Sequence, residues 1–489
     1  VLISCAWLET LLGGHDHAPL DAMVVAQTLT SLGLEVESVR SAGQGLDPVL
    51  VGEVRSVRAH PVADGLRVAT VFDGRDTVDV VCGAKNLPNA GGKVAWAPPG
   101  VVLPGGIEIG TREIRTVQSH GMICSEVELD VGRDDSGILV LPENWPAGRR
   151  LVDLVPGIVD TVLELSVTPN RADALGHVGV ARDLAVRLRR PLVLPHANEP
   201  EAEHSPNLVQ VVARERCGRY LGYAIADVVV RPSPLWLVTR LHRLGLRSID
   251  NVVDVTNFVL LEWGQPLHAF DRDRLAEGRV IVRCAEPSEP IETLDGRKLA
   301  LTVDDLVIAD GRTSQALAGI MGGSGSAVDA STRTLLLEVA WFQPAGIRRS
   351  TRRHGIHSDS SHRFERGVDP ERGPELAARR AVVLIQQLTG GRCIAKHEAR
   401  GELPVRKPIS VRPARAKLVL GVDIPTEECE RILRGLEIEV DRSDGERWNC
   451  LAPGHRPDVN REDDVIEELA RQYGLDRIPA TPTIPSVVR

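Results

Sequence analysis

Between Val49 and Leu141 the chain is cut into short β-prone runs, VLVGEVRSVRAHP, LRVATVFDG, TVDVVCGA, KVAWAPPG and GILVLP, separated by glycine and proline turns. Strands this short bury little on their own, so five or so of them are expected to close on one another as a small β-barrel of OB type. The flanks have a different texture. Residues 1–40 alternate a short strand with an amphipathic helix, and residues 152–190 have the same mixed character. The pattern predicts a barrel domain over 41–151 inserted into a small α/β domain made of 1–40 plus 152–190.

A proline-rich linker, PLVLPHANEPEAEHSPN, leads to a second unit expected over 207–400. Its most structured stretch is NVVDVTNFVLLEWGQPLHAFD, from Asn251 to Asp271. Asp250 can cap a helix there, Val252, Val255, Val259 and Glu262 recur at helical spacing, and Gly264 with Pro266 ends the run. Thr256 and Asn257 are weak helix formers in mid-helix, which points to what their side chains touch, and His268 follows the breaker. Two readings stand at this point: a self-satisfied polar pair in a core, or part of a site.

Further on, ALAGIMGGSGSAV places four glycines between Gly319 and Gly325 with no Gly-Lys-Ser/Thr ending, so it is no P-loop but suits close backbone approach. LLLEVAWF, from Leu335 to Phe342, reads as a buried strand with Glu338 in its middle. A carboxylate there needs a partner, either one of the arginines that follow (Arg348 to Arg366) or a functional one. The basic, hydroxyl-rich stretch from Ser350 reads as a solvated face or an RNA-backbone patch.

A last domain is expected over 403–480, with a helix-like segment beginning at Lys417 and Leu418, then PTEECERILRGLEIEV and the helix NREDDVIEELARQYG. Asp464, Glu467 and Glu468 share a helix face and Asp458 lies just before it. Four such carboxylates suit magnesium; the alternative is an acidic first turn favoured by the helix dipole.

The net charge of −9 disfavours nucleic-acid binding by overall electrostatics, so any RNA contact must be local. No apolar run is long enough for a membrane span, and VLISCAWLETLL carries Glu9 and no basic leader, so a cytoplasmic protein is expected. Eight scattered cysteines form no CxxC pair and read as buried thiols, while His15 and His17 lack a third ligand for zinc.

The order of motifs is specific. His60-Pro61, Ala63-Asp64 and Leu66, then Val81 to Ala84 with Asn86, then Ser119, Gly121-Met122 and Cys124 to Glu126 resemble the tRNA-binding OB domain of several synthetases and their helper proteins. Thr116 departs from that pattern, which usually has glycine after the arginine at Arg115. With TPNRAD (168–173), NVVDVTN (251–257), QPLHAFD (265–271), LAGIMGG (317–323), SHRFERGVD (361–369) and Glu467 to Pro479, the chain resembles the N-terminal part of the bacterial phenylalanine–tRNA ligase β-subunit family.

The resemblance implies an α+β multidomain fold: the OB barrel in its small α/β domain, a central α/β editing domain of B3/B4 type, and a C-terminal B5-type, winged-helix-like domain. It implies tRNA binding and hydrolysis of tyrosine mischarged on phenylalanine tRNA. ATP-dependent synthesis would belong to a separate α subunit in a heterotetramer of two α and two β chains. By resemblance Glu338 accepts the tyrosine hydroxyl, and the backbone of Ala318, Gly319 and Gly322 cradles the amino acid. Thr256, Asn257 and His268 would line the ester end with Ser358 and Ser360 nearby, and Asp458, Asp464, Glu467 and Glu468 would hold Mg2+ shared with the α subunit. A reading from another class is a non-catalytic tRNA-binding or assembly module.

Overall fold

Strand Leu2–Ser4 pairs antiparallel with Asp160–Ser166, which pairs on its other edge with Glu35–Ala42. Segments on either side of the barrel block therefore share one sheet, and the block between them is an insertion. The computed structural model describes residues 1–14, 17–195, 197–444 and 447–479; His15 lies outside the described residues.

The inserted block forms a six-stranded antiparallel sheet running from Val140–Leu141 through Lys93–Ala97, Leu50–Ala59 and Arg67–Phe72 to Thr77–Cys82, with Met122–Ile123 also paired to Lys93–Ala97. Val81 N–H donates to Ser119 Oγ at 3.1 Å, drawing the far edge back so that the barrel is nearly closed. The recognisable barrel residues are braces. His60 Nε2 meets the Ile114 carbonyl at 2.9 Å, Asn86 bonds both backbone groups of Ile138, and Gly121 sits where a Cβ would lie 2.3 Å from the Ala97 carbonyl oxygen. Between strands Thr111–Ile114 and Val117–His120 the turn residues Arg115 and Thr116 have φ of 46° and 79°. A two-residue turn of this hand favours glycine at its second position, so the hairpin is kept although a β-branched residue occupies a left-handed conformation.

In the central domain a five-stranded sheet has the order Glu203–His204, Arg392–Arg400, Cys217–Ala226, Leu335–Phe342, Leu267–Asp271. One face packs on helices Val253–Trp263 and Gly373–Thr389 and on the first domain, in a single core that includes Leu337, Val339, Val255 and Ala381. The other face packs against a smaller sheet containing Val280–Cys284, Leu306–Ala309 and Ser314–Leu317, in a core with Tyr220, Leu336 and Phe342. Helix Val253–Trp263 is the one expected: Asp250 Oδ1 accepts the Val252 and Val253 amides at 2.8 and 2.9 Å, and Gly264 ends it with φ 71°.

The last domain has a three-stranded antiparallel sheet and helices Pro413–Leu420, Thr426–Gly435 and Glu462–Tyr473. The first of these begins at Pro413, not at Lys417, because proline fits the first turn, where its missing N–H goes unused. This domain is fastened by buried ion pairs. Arg171 holds Asp173 and Asp183, Arg471 holds Asp183 and Glu468, and Arg456 holds Glu468 and Asp458, all between 2.6 and 2.9 Å. Asp173 is thus an ion-pair partner, and helix His177–Leu188 begins after Gly176 with no side-chain cap.

All eight cysteines are free thiols, seven buried and Cys284 half-buried. No helix of the described residues is long and apolar enough to cross a membrane.

Asp183 stands between two buried arginines, so Asp183→Ala leaves both under-compensated. We expect a loss of about 3–5 kcal/mol, measured by urea denaturation, against which a neutral surface control such as Glu427→Ala shows almost no change.

Candidate functional site

Strand Leu335–Phe342 is buried along its whole length. Alternation sends Leu335, Leu337 and Val339 into one core and Leu336, Ala340 and Phe342 into the other, so Glu338 points into the second. In register it lies opposite His268 on one neighbouring strand and Gly222 on the other. Two residues before Gly222, on the same face, fully buried Tyr220 donates its hydroxyl to Glu338 Oε2 at 3.1 Å. That is the only hydrogen bond Glu338 makes among the described residues, and no arginine or lysine pairs with it. The expected arginine alternative is therefore absent. Arg363 instead binds Asp359 and the Leu175 carbonyl, and Arg353 binds Asp304 and Asp305.

With no cation beside it, burial pushes the Glu338 carboxyl up to about 8, and the Tyr220 hydroxyl offsets only part of this. Burial acts on His268 in the opposite sense, lowering it to about 4. Both groups are predominantly neutral at pH 7. His268 Nε2 is shielded and has no hydrogen-bond partner, and the ring packs edge-on to Phe270 at 4.5 Å. The ring also lies over Gly322: a Cβ there would sit 2.6 Å from His268 Cε1, so only glycine fits beneath it. A cavity of about 50 Å³ is lined by His268, Glu338, Gly319, Gly322, Ser360 and Phe364 among others, enough for a few waters.

The structure thus brings together His268, Glu338, Gly319, Gly322 and Ser360. It does not place Ala318, Ser358, Thr256 or Asn257 on that wall. Ala318 is buried in the adjoining core, with its N–H donated to the Leu306 carbonyl at 3.0 Å. Ser358 caps helix Asp359–Phe364, accepting the Ser361 amide and donating to the Ile320 carbonyl at 2.7 Å, which ties that helix to the glycine segment. Thr256 spends its hydroxyl on the Val253 carbonyl within its own helix at 2.7 Å, and Asn257 is half-buried. Tyr220 was missed. Its signal is that a tyrosine in GRYLGYAIA, a strand with no polar face, must find a buried acceptor for its hydroxyl.

The acidic residues of the last domain do not converge. Glu468 is buried between Arg456 and Arg471, Asp458 pairs with Arg456, Asp464 accepts the Asn460 and Arg461 amides at 2.9 Å, and Glu467 is exposed. Among the described residues no group of three His, Cys, Asp or Glu side chains is placed to hold a metal. As arranged, these four carboxylates do not fit a magnesium ion.

Three domain families match the sequence: a putative tRNA binding domain over residues 49–150, a B3/4 domain over 216–390 and a tRNA synthetase B5 domain over 409–475. The phenylalanine–tRNA ligase β subunit of Geobacter sulfurreducens is 42% identical over 98% of this chain and 60% of its own length. That of Anaeromyxobacter dehalogenans is 43% identical over 99% and 60%. The chain is a homologue of phenylalanine–tRNA ligase β subunits. It spans about three-fifths of the length of these curated relatives. A solved N-terminal fragment of the phenylalanyl-tRNA synthetase β subunit from Pyrococcus horikoshii covers 97% of this chain and 99% of its own at 12% identity, with a TM-score of 0.42, a likeness too distant to bear on the site. His268, Glu338 and Tyr220 all lie within the B3/4 domain.

Folded, Glu338 keeps its proton up to about pH 8, whereas unfolded it loses it near its ordinary 4.5. Its contribution to stability therefore falls as pH rises between those values. The permanently neutral Glu338→Gln protein should be more stable than wild type at pH 8, with the gap closing towards about pH 5, measured by urea denaturation at both values.

Proposed function

We propose that this chain is the tRNA-binding and editing portion of a phenylalanine–tRNA ligase β subunit, and that the B3/4 cavity hydrolyses tyrosine wrongly joined to phenylalanine tRNA. The observation that carries this reading is a buried, uncharged carboxyl beside an unpartnered imidazole on the wall of a small cavity that glycine backbone also lines. A pocket shaped for a phenyl ring rejects an added hydroxyl only about a hundredfold, so a second site must recognise that hydroxyl. Glu338 is suited to the task because one of its oxygens is unspent and no cation competes for it.

In this reading the tyrosine ring enters towards Glu338 while the ester lies towards His268. A ring needs more room than the cavity offers, and the segment Gly319–Gly323 supplies it by yielding. His268, neutral at pH 7, uses Nε2 to accept a proton from the attacking water or from a ribose hydroxyl and so holds it against the ester. Ser360 is a further polar contact on the wall. Thr256, Asn257, Ala318 and Ser358 support the site from behind, through the helix, core and cap contacts they make.

The remaining assignments follow from the same reading: 41–151 as an OB-fold that touches tRNA phosphates locally, 1–40 plus 152–190 as its α/β platform, 207–400 as the editing domain and 403–480 as a winged-helix-like B5 domain. ATP-dependent Phe-tRNA formation falls to an α subunit in an assembly of two α and two β chains in the cytoplasm. Magnesium binding at Asp458, Asp464, Glu467 and Glu468 would require Arg456 and Arg471 to release Asp458 and Glu468, and no step of the hydrolysis depends on it.

Hydrolysis of tyrosyl-tRNA carrying the phenylalanine anticodon tests the proposal. His268→Ala and Glu338→Ala are each expected to lower the rate about a hundredfold or more, with phenylalanyl-tRNA left largely intact by every form; equal rates in wild type and both variants would refute it.

A further inference from the structure

We propose that Tyr220 is a positioning residue that fixes which oxygen of Glu338 faces the cavity and thereby sets the preference for a hydroxylated over a bare aromatic ring. This rests on the reading of Glu338 as the group that recognises the hydroxyl.

Tyr220 is placed by the sheet. It lies on Cys217–Ala226, on the same face as Gly222, and Gly222 is directly opposite Glu338. Because Gly222 has no side chain, and a Cβ there would meet Val209 Cγ2 at 2.5 Å, the space beside the carboxyl is left to the Tyr220 hydroxyl. The phenol is fully buried and its ionisation is pushed well above the usual range, first by burial and then by the nearby Glu338, so it remains a donor. Its one proton goes to Oε2. In a neutral carboxyl the oxygen that accepts such a bond is the carbonyl oxygen, so the acid proton belongs on Oε1.

Oε1 has no hydrogen-bond partner among the described residues, and Glu338 lines the cavity. The cavity therefore offers one donor beside the ring's far end, Oε1–H. A phenol hydroxyl accepts it, whereas a bare ring leaves it unpaired; sites built this way reject the analogue lacking the hydroxyl by about 10⁴-fold or more. The titratable groups around Glu338 are Tyr220 and Cys217 from one neighbouring strand and His268 from the other; the small sheet and helix Asp359–Phe364 contribute no charged side chain to the cavity wall. Among the described residues the Tyr220 hydroxyl makes the one hydrogen bond that holds the carboxyl's orientation.

Tyr220→Phe in the full chain removes only the hydroxyl. Infrared titration of the Glu338 carboxyl band, with Glu338→Gln as the blank, should show the midpoint move up by about one pH unit when the Tyr220 bond is lost. p-Cresol should shift the band in wild type and toluene should not, and in Tyr220→Phe that distinction should shrink about tenfold in apparent affinity. An unmoved midpoint, or equal discrimination between p-cresol and toluene by the two proteins, overturns the proposal, and thermal unfolding verifies that both remain folded. The editing reading is judged separately: if wild type does not hydrolyse tyrosyl-tRNA it fails, while the infrared result still decides the role of Tyr220.

Discussion

A strand buried on both faces, with one carboxyl in its middle and no cation within reach, is the constraint on which the site depends. Removing an ionised carboxylate from water is far too costly to tolerate unpaired, so the group stays protonated instead. Once it is protonated, the same burial that keeps the acid neutral also keeps the facing imidazole neutral, because both lose more by charging than they recover. Two groups that would form an ion pair in water thus coexist without one. Neither is tied to the other by a hydrogen bond, and His268 Nε2 remains available.

The chain resolves buried charge in a second way elsewhere, and the contrast is informative. At the junction of the last domain, Asp183 and Glu468 are each shared by two arginines, with bonds of 2.6 to 2.8 Å. That arrangement leaves few lone pairs unused and suits a joint that must hold its geometry. Glu338 is left with one weakly offsetting partner and an unspent oxygen, which suits a group that must accept something else. The same pairing holds Glu468 and Asp458 on Arg456, while Asp464 accepts the amides at the helix start and Glu467 is exposed, so the four acidic residues expected to bind magnesium are not gathered about one point.

What the sequence made legible was local. The run of short strands, the helix that follows Asp250 and the buried strand with Glu338 each rest on a pattern within a single segment, where periodicity and turn chemistry act directly. The missed features are contacts between distant segments. Tyr220 and Glu338 are 118 residues apart, and Arg471 and Asp183 are 288 apart. The arginines after the strand looked like natural partners for Glu338 because they were near in sequence, yet helix Pro344–His354 turns Arg348, Arg349 and Arg352 to solvent. Thr256 and Asn257 drew attention as weak helix formers; Thr256 is instead satisfied by its own helix, as buried hydroxyls there often are.

The same long-range packing joins the barrel to the cavity. Arg243, almost wholly buried, reaches from the central domain to Asp130 Oδ2 at 2.7 Å and to the Ile158 carbonyl at 2.8 Å, and His242 adds a bond to the same carboxyl at 2.9 Å. From the first domain, buried His177 bonds Ser4 N–H on one side and the Leu261 carbonyl on the other, and stacks on Trp7 at 4.2 Å. Leu261 belongs to the helix that leads through Gly264 to His268. Movement of the barrel relative to the cavity would break these buried bonds, each of which costs more to leave unmade than it gains when formed. In the proposed reading, an RNA held by the barrel presents its end to His268 at a fixed offset.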